Sequence, residues 1–557
     1  MASLLHPGVF VREIPGGARS IEGVPTSTTI FVGETERGPL EAMRIRGRSQ
    51  YERIFGGYRR HLTGGGNARV LMPYTLDGFF ANGGVQAIIL RAIDAPAGGA
   101  VLATRDEVGG PARPLAESAS VGAWANNVSV TVAPSTDGEA TRFRLAVFYA
   151  RPGAPAGDPA ELVEDFDRLS ADPSDETYVI DVLRRSGYIR WIDDQAAYVP
   201  TIDNALVLTP AELADQTEAQ LLGNAVALAG GVGGDTADGE PDYQALLDVG
   251  LAEVNDAALL VCAGAALLPQ GSSGAGGLDA GAFVALENTF VDYVNVRPRL
   301  DLFFVGDLPR LTRGTSAALA PGDPIQGALH IHAGTGGVPA PITATTFNAV
   351  YWPHVEVRDP VGEGRDPRLV VPPAGHLAGL YARTDGRRGV WKAPAGTEAT
   401  VQGISQLDFD VLDRAQDNLN PRGLNALRRI PGAGSVAWGA RTLQPSTEWR
   451  YVPVRRTAIF LRGSIYNGIQ WAVFEPNDER LWQSLRNTIG AFMETQFRNG
   501  AFFGSTSREA YFVKVDAETT TEDDRAAGVV NILVGFAPQR PAEFVVVSLQ
   551  QIVGQAR

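Results

Sequence analysis

The sequence predicts a multidomain chain: a doubly wound α/β domain interrupted by a β-rich insertion, an α+β unit after it, and an extended strand arm at each end. Three observations carry this. Strands and helices alternate in two separated blocks, the stretch between them is rich in Ala, Gly and Pro and carries mainly strand patterns, and both ends read as apolar strands rather than polar tails. At 557 residues the chain is too long for one core, given about 150 residues per domain. With 44% hydrophobic and 20% charged residues it is an ordinary globular composition, which excludes wholesale disorder.

The first arm, residues 1–22, contains PGVFVREIPGG, an extended stretch fenced by Pro7 and Pro15 in which Val9, Phe10, Val11 and Ile14 are apolar. The α/β domain is expected over 23–95 and 240–355. Its first block reads strand Thr28–Gly33, helices Ser49–Phe55 and Pro73–Ala81, and strand Gln86–Ile93. Its second block reads helix Asp242–Val254, strand Ala258–Cys262, helix Gly281–Val294 and strand Asp301–Gly306. Phe283, Leu286, Phe290 and Val294 form one stripe on that helix, and the fully apolar LFFV suits a strand covered on both faces. The insertion, 96–239, offers strands at Asn127–Val132, Phe143–Tyr149, Thr177–Leu183 and Tyr188–Ile192. The α+β unit, 356–541, carries a helix Val454–Gln470 and a long helix capped by Asn477 and closed by Asn499 and Gly500. Leu481, Leu485, Ile489, Phe492 and Met493 line that long helix. Strands at Ala510–Asp516, Val529–Phe536 and Glu543–Leu549 complete an antiparallel sheet, and the last arm, 542–557, includes Phe544, Val545, Val546 and Val547.

Chemistry finds little to stand on. Neither lysine, Lys392 after Trp391 nor Lys514 after Val513, follows the glycine of a phosphate loop, and the glycine clusters lack the strand–GxGxxG–helix order of a dinucleotide site. Cys262 is the one cysteine, which excludes a disulfide scaffold and a thiolate metal cluster and reads as a small buried apolar residue. His330 and His332, two apart, would share one face of a strand and could hold a metal with a third ligand, but none is in view. Gly314, Thr315 and Ser316 with Pro321 resemble the nucleophile motif of subtilisin-like proteases, and His332 their histidine. Here the serine precedes the histidine, the proline lies one position late and no partner aspartate stands out, so a subtilisin-like serine hydrolase is the alternative reading rather than the leading one. No catalytic, cofactor or metal residue is assigned.

A family becomes recognisable in longer strings. PGVFVREIPGGARSIEGVPTSTTIFVGETERGP resembles the start of contractile tail sheath proteins of bacteriophages and contractile injection systems. DGFFANGGVQAIILR, WANNVSVTV, VPPAGHLAGLYARTDGRRGVWKAPAG, LNALRRIPGAGSVAWGARTL, WRYVPVRRTAIFL, WAVFEPNDERLW and FAPQRPAEFVVV resemble family segments in the family's order. The resemblance implies a middle domain of subtilisin-like fold without protease function. It also implies a structural subunit that stacks in six-membered rings around an inner tube protein, meets baseplate and terminator or cap proteins, and contracts to drive the tube through a target envelope.

Further readings of the residues stand beside it. A lone terminal strand exposes backbone donors and acceptors that the sheet edge of another chain can satisfy, so the two arms are expected to link subunits. The net charge is −15 and the pI near 5.0, which disfavours nucleic acid as a partner. The longest apolar run, Ala257–Leu268, is too short to span a bilayer, so direct membrane insertion is not expected. The start lacks the uninterrupted apolar core of a signal peptide, suiting assembly in a bacterial cytoplasm of a phage tail or released contractile particle. Between Arg383 and Arg462 lie 13 basic and 7 acidic residues, net +6, leaving −21 for the rest. Arg428, Arg429, Arg455 and Arg456 in this stretch are the candidate tube-facing residues, with pairing inside the sheath as the alternative.

Overall fold

The computed structural model describes residues 20–58, 69–93, 101–105, 112–139, 141–151, 160–191, 226–228, 242–264, 280–311, 323–362, 364–444 and 448–544. Contacts divide the chain into two compact units. The larger comprises Pro25–Arg388 and Ala393–Arg455, and the smaller holds Gly389–Lys392, the residues before Pro25 and everything from Arg456.

The larger unit is built on one eight-stranded sheet. Its strands are β1 (Thr29–Glu34), β2 (Met43–Ile45), β3 (Ala87–Ala92), β4 (Leu259–Ala263), β5 (Phe303–Asp307), β6 (Asn348–Trp352), β7 (Leu424–Ile430) and β8 (Gly434–Ala437), in the order β8-β7-β6-β5-β4-β1-β3-β2. The six from β7 to β3 run parallel, while β2 and β8 pair antiparallel at the two edges. Parallel strands need helical crossovers, so both faces are covered, and β3, β4, β5 and β6 are buried at every residue. Alternation assigns the faces. Ile30, Val32, Leu260 and Phe304 pack with Leu247 of α3 (Tyr243–Gly250) and Phe290 and Val294 of α4 (Ala280–Val296). Phe31 instead meets Phe79 of α2 (Met72–Ala81), and Phe303 meets Tyr381 of α6 (Ala374–Arg388).

Helices α2 and α6 pack backbone to backbone. A Cβ added at Gly375 would sit 2.4 Å from the Thr75 carbonyl oxygen, and one at Gly379 would sit 2.3 Å from that of Phe79. Glycines four apart on α6 thus clear a groove for α2. The sheet does not end near residue 355, where the domain boundary was expected: β7 pairs in register with β6, Val350 opposite Leu424, and the segment 393–455 belongs to the larger unit. Two arginines in LNALRRI hide a strand whose first four residues are buried.

The insertion between β3 and α3 carries its own core. Val128–Pro134, Arg142–Tyr149 and Glu161–Ser170 form an antiparallel sheet with Val226–Ala227, and Ala112–Ser118 pairs with Val101–Arg105 and Ile189–Trp191. Trp124, Val130, Phe143, Leu145, Val147, Ile189 and Trp191 are buried together. Thr177–Leu183, expected as a strand, is a short helix at Val179–Leu183. Asp175 accepts from the Thr177 amide and hydroxyl and turns the chain, after which Val179, Ile180 and Leu183 bury one helical face. A buried polar cluster fastens this module to the sheet layer. Glu36 accepts from the Tyr149 hydroxyl at 2.6 Å and the Gly57 amide at 3.0 Å, and the Arg37 guanidinium lies 4.1 Å from the Tyr188 ring while donating to the carbonyls of Glu52 and Arg53.

In the smaller unit α9 (Glu479–Arg498) buries Leu481, Leu485, Ile489, Phe492 and Met493 as expected. Its cap is Asp478, whose carboxylate accepts from the amides of Arg480 and Leu481, and not Asn477. The Asn477 side chain is committed elsewhere, accepting from the Trp482 indole and donating to the Val529 carbonyl. Against α9 lie β9 (Tyr511–Lys514) and β10 (Leu533–Phe536), antiparallel, and the last part of α8 (Val452–Gly468), including Leu461 and Ile465.

One buried pair sets a pH dependence. Glu287 of α4 lies over Gly306 beside Asn348, and Asp307 accepts from the Ala374 amide at the start of α6 at 2.8 Å. Burial pushes the Glu287 carboxyl up to about 8, and burial together with Glu287 pushes Asp307 up as well. Unfolded, Glu287 would titrate at about 4.3. Between these values the unfolded chain releases a proton that the folded chain keeps, so stability falls as pH rises through that window. Thermal melts from pH 5 to 8 should show this decline, and Glu287→Gln should flatten it and raise the melting temperature at pH 8.

Candidate assembly surfaces

The smaller unit exposes most of the apolar surface that its fold leaves uncovered. Phe503, Phe512, Leu533, Val473, Phe474 and Phe544 are all exposed there. Among the described residues β9 and β10 form a sheet of two strands, with Tyr511 opposite Phe536 and Phe512 opposite Gly535. Tyr511, Val513, Val534 and Phe536 turn toward the α9 core but stay half-buried. On the other face Phe512 lies over Gly535, where an added Cβ would meet its ring at 2.2 Å. A two-stranded sheet is marginal alone, and the edge of such a sheet is where a further strand can add.

The larger sheet is protected. β2 is three residues long, and its Arg44 pairs with Asp256. β8 is closed by the chain at 396–401: the Val401 amide donates to Ser435, that of Ala437 to Ala399 and that of Gly396 to Ala437.

The expected arm residues Val9, Phe10, Val11, Ile14, Val545, Val546 and Val547 lie outside the described residues, as do Gly314, Thr315, Ser316 and Pro321. Phe544 is described and exposed, outside any strand.

The four candidate arginines are not one surface. Arg429 is exposed. Arg428 bonds Gln416 at 2.9 Å and pairs with Asp413 at 2.7 Å. Arg455 is stacked between Trp449 at 3.9 Å and Phe347 at 4.5 Å, and Arg456 is only 3% exposed. Three of the four therefore make contacts within the subunit, and Arg429 alone of the four is exposed. The aromatic partner Phe347 lies a hundred residues upstream of Arg455, and nothing in the local sequence announces it.

His330 and His332 stand on α5 (Pro324–Ala333), not on a strand, so residues two apart diverge. His330 bonds Thr335 at 2.8 Å, and burial with the nearby Arg422 charge lowers His332. His354 and His376 are buried and lowered to about 4 by burial. Among the described residues no cluster of His, Cys, Asp and Glu could hold a metal, and no helix is long and apolar enough to cross a membrane. Cys262 is buried in β4.

Residues 444–552 match the family model of the phage tail sheath C-terminal domain. This segment is similar to a tail sheath domain. Tail sheath proteins of Vibrio phage KVP40 and Enterobacteria phage T4 are 32% and 28% identical to it over 125 and 127 residues, 22% of this chain and 19% of each relative. The chain thus matches about a fifth of the length of these curated sheath proteins. Its fold is similar over nearly the whole length to the contracted sheath of an extracellular contractile injection system, PVC. That likeness has a TM-score of 0.55 at 21% identity and covers 99% of both chains. The contracted helical sheath of the anti-feeding prophage gives 0.54 at 20% identity over 99% and 100%. A sheath tail protein from Listeria innocua gives 0.52 at 13% identity over 94% and 97%. These relatives are structural tail sheath proteins, not enzymes.

The burial of Arg456 and the exposure of Arg429 yield a direct check. Arg456→Glu places a carboxylate where a guanidinium is buried and should cost about 3 kcal/mol or more, seen as a large fall in melting temperature. Arg429→Glu should stay within about 0.5 kcal/mol of the parent chain.

Proposed function

We propose that this chain is the structural subunit of a contractile sheath, with a larger unit of subtilisin-like topology that performs no catalysis. Subunits polymerise as stacked six-fold rings around an inner tube protein, between a baseplate and a terminator, as part of a phage tail or released contractile particle assembled in a bacterial cytoplasm. Contraction of the polymer drives the tube through a target envelope. The observation that carries the reading is the β9-β10 sheet, two-stranded among the described residues, which lies within the segment matching the tail sheath family model.

The physical argument runs from that sheet. An added strand gains backbone hydrogen bonds along its length and places alternate side chains on the existing faces, here beside Phe512 and Leu533 outward and beside Val513 and Val534 inward. Val9, Phe10, Val11 and Ile14 in one arm and Phe544 to Val547 in the other have the apolar content such strands need. Arms of two neighbouring subunits completing the sheet of a third give each subunit links in two directions. Rigid units tied by β pairing can rotate without breaking it, so contraction needs no local unfolding. The free energy of contraction is the difference in packing between the extended and contracted polymers.

Deleting Met1–Gly17, or the chain from Phe544, should leave a soluble subunit of near-parental melting temperature that forms no tubes by electron microscopy. Tubes of normal length from either truncation would refute the strand linkage.

A further inference from the structure

The turn between α8 and α9 holds an aromatic side chain under two separate penalties. Phe474 is fully exposed, and its backbone sits at φ 69°, the left-handed region that a residue with a large side chain occupies at a cost. Its neighbour Val473 is also exposed. The turn is firmly made. The amides of Ala472, Val473 and Glu475 donate to Ile469, Gln470 and Ala472, and Trp471 anchors it in the core with Leu481, Trp482 and Leu485. Phe474 is thus presented rigidly, and Glu475 and Asp478 beside it are exposed acids.

A second unexplained feature lies in the larger unit. The tip of the β7–β8 hairpin and the segment before α7 (Asp413–Leu419) border a concavity of about 500 Å³ lined by Leu412, Ile430, Pro431, Arg428 and Arg429, with one acid, Asp410. Leu412 is 69% exposed there. Its volume exceeds what two apolar side chains need.

We propose that Val473 and Phe474 of one subunit insert into this concavity on a second copy of the chain, with Glu475 opposite Arg429. Charge and shape both select the copy: an apolar knob beside carboxylates meets an apolar socket beside an exposed guanidinium. Knob and socket are different patches, so the contact is head-to-tail and repeats without self-pairing, which generates rings or helical polymers rather than isolated dimers. The inference rests on the sheath reading and adds a side-chain contact to its backbone pairing.

Two single-cysteine chains, Phe474→Cys and Leu412→Cys, each with Cys262→Ala, are mixed, polymerised and oxidised. A disulfide-linked dimer should form in the mixture and in neither chain alone, which places the contact between copies. Phe474→Gly relieves the backbone, so it should fold at least as stably as the parent while raising the concentration needed for polymerisation roughly tenfold or more. Arg429→Glu should weaken assembly, and Glu475→Arg in the same chain should restore it. Polymer without the cross-link, or a Phe474→Gly chain that polymerises like the parent, overturns the proposal, including the case where that variant loses only tube protein. A parent chain that never polymerises overturns the sheath reading itself, and electron microscopy of that chain separates the two failures.

Discussion

Six parallel strands buried on both faces constrain everything else in the larger unit. Each crossover must return along a face, so helices are required on both sides, and polar residues buried in the sheet need partners, as Arg91 finds in the carbonyls of Gly38 and Val121. Where the helices of one face must come close, α6 supplies glycines at 375 and 379 so that α2 can approach to backbone contact. The same burial pushes the carboxyls of Glu287 and Asp307 up, and it explains Cys262, which packs as an apolar residue.

Elements with strong local patterning were legible in the sequence. β1, α2, β3, α4, β5 and α9 lie within a few residues of their expected positions, because each buries a continuous run or a clear stripe. Features set by distant partners were not. Leu424–Ile430 joins the large sheet through pairing with residues more than 70 positions earlier, and its paired register cannot be seen in LNALRRI. Thr177–Leu183 alternates well enough for a strand, but an aspartate turn just before it starts a helix instead. The choice of Asp478 over Asn477 as a cap depends on where Trp482 and Val529 fall.

The assembly surfaces divide in the same way. The apolar content of the arms is read directly from the sequence, whereas the expected third strand at Glu543–Leu549 lies mostly outside the described residues. A count of charges gave a basic stretch, but charge on paper is not charge on a surface: Trp449 and Phe347 hold Arg455, and Asp413 and Gln416 hold Arg428. Phe474 carried no such signal, because one aromatic in WAVFEPNDERLW looks like core until the turn shows Trp471 pointing in and its neighbour out.

The guarded edges of the large sheet have a consequence for crowding. Proteins with open strand edges risk amorphous clumping when concentrated, because any edge can template any other. Here β2 is short and charged, and β8 is sealed by its own chain. With both edges of the large sheet guarded, edge-to-edge pairing through it is disfavoured even at high concentration.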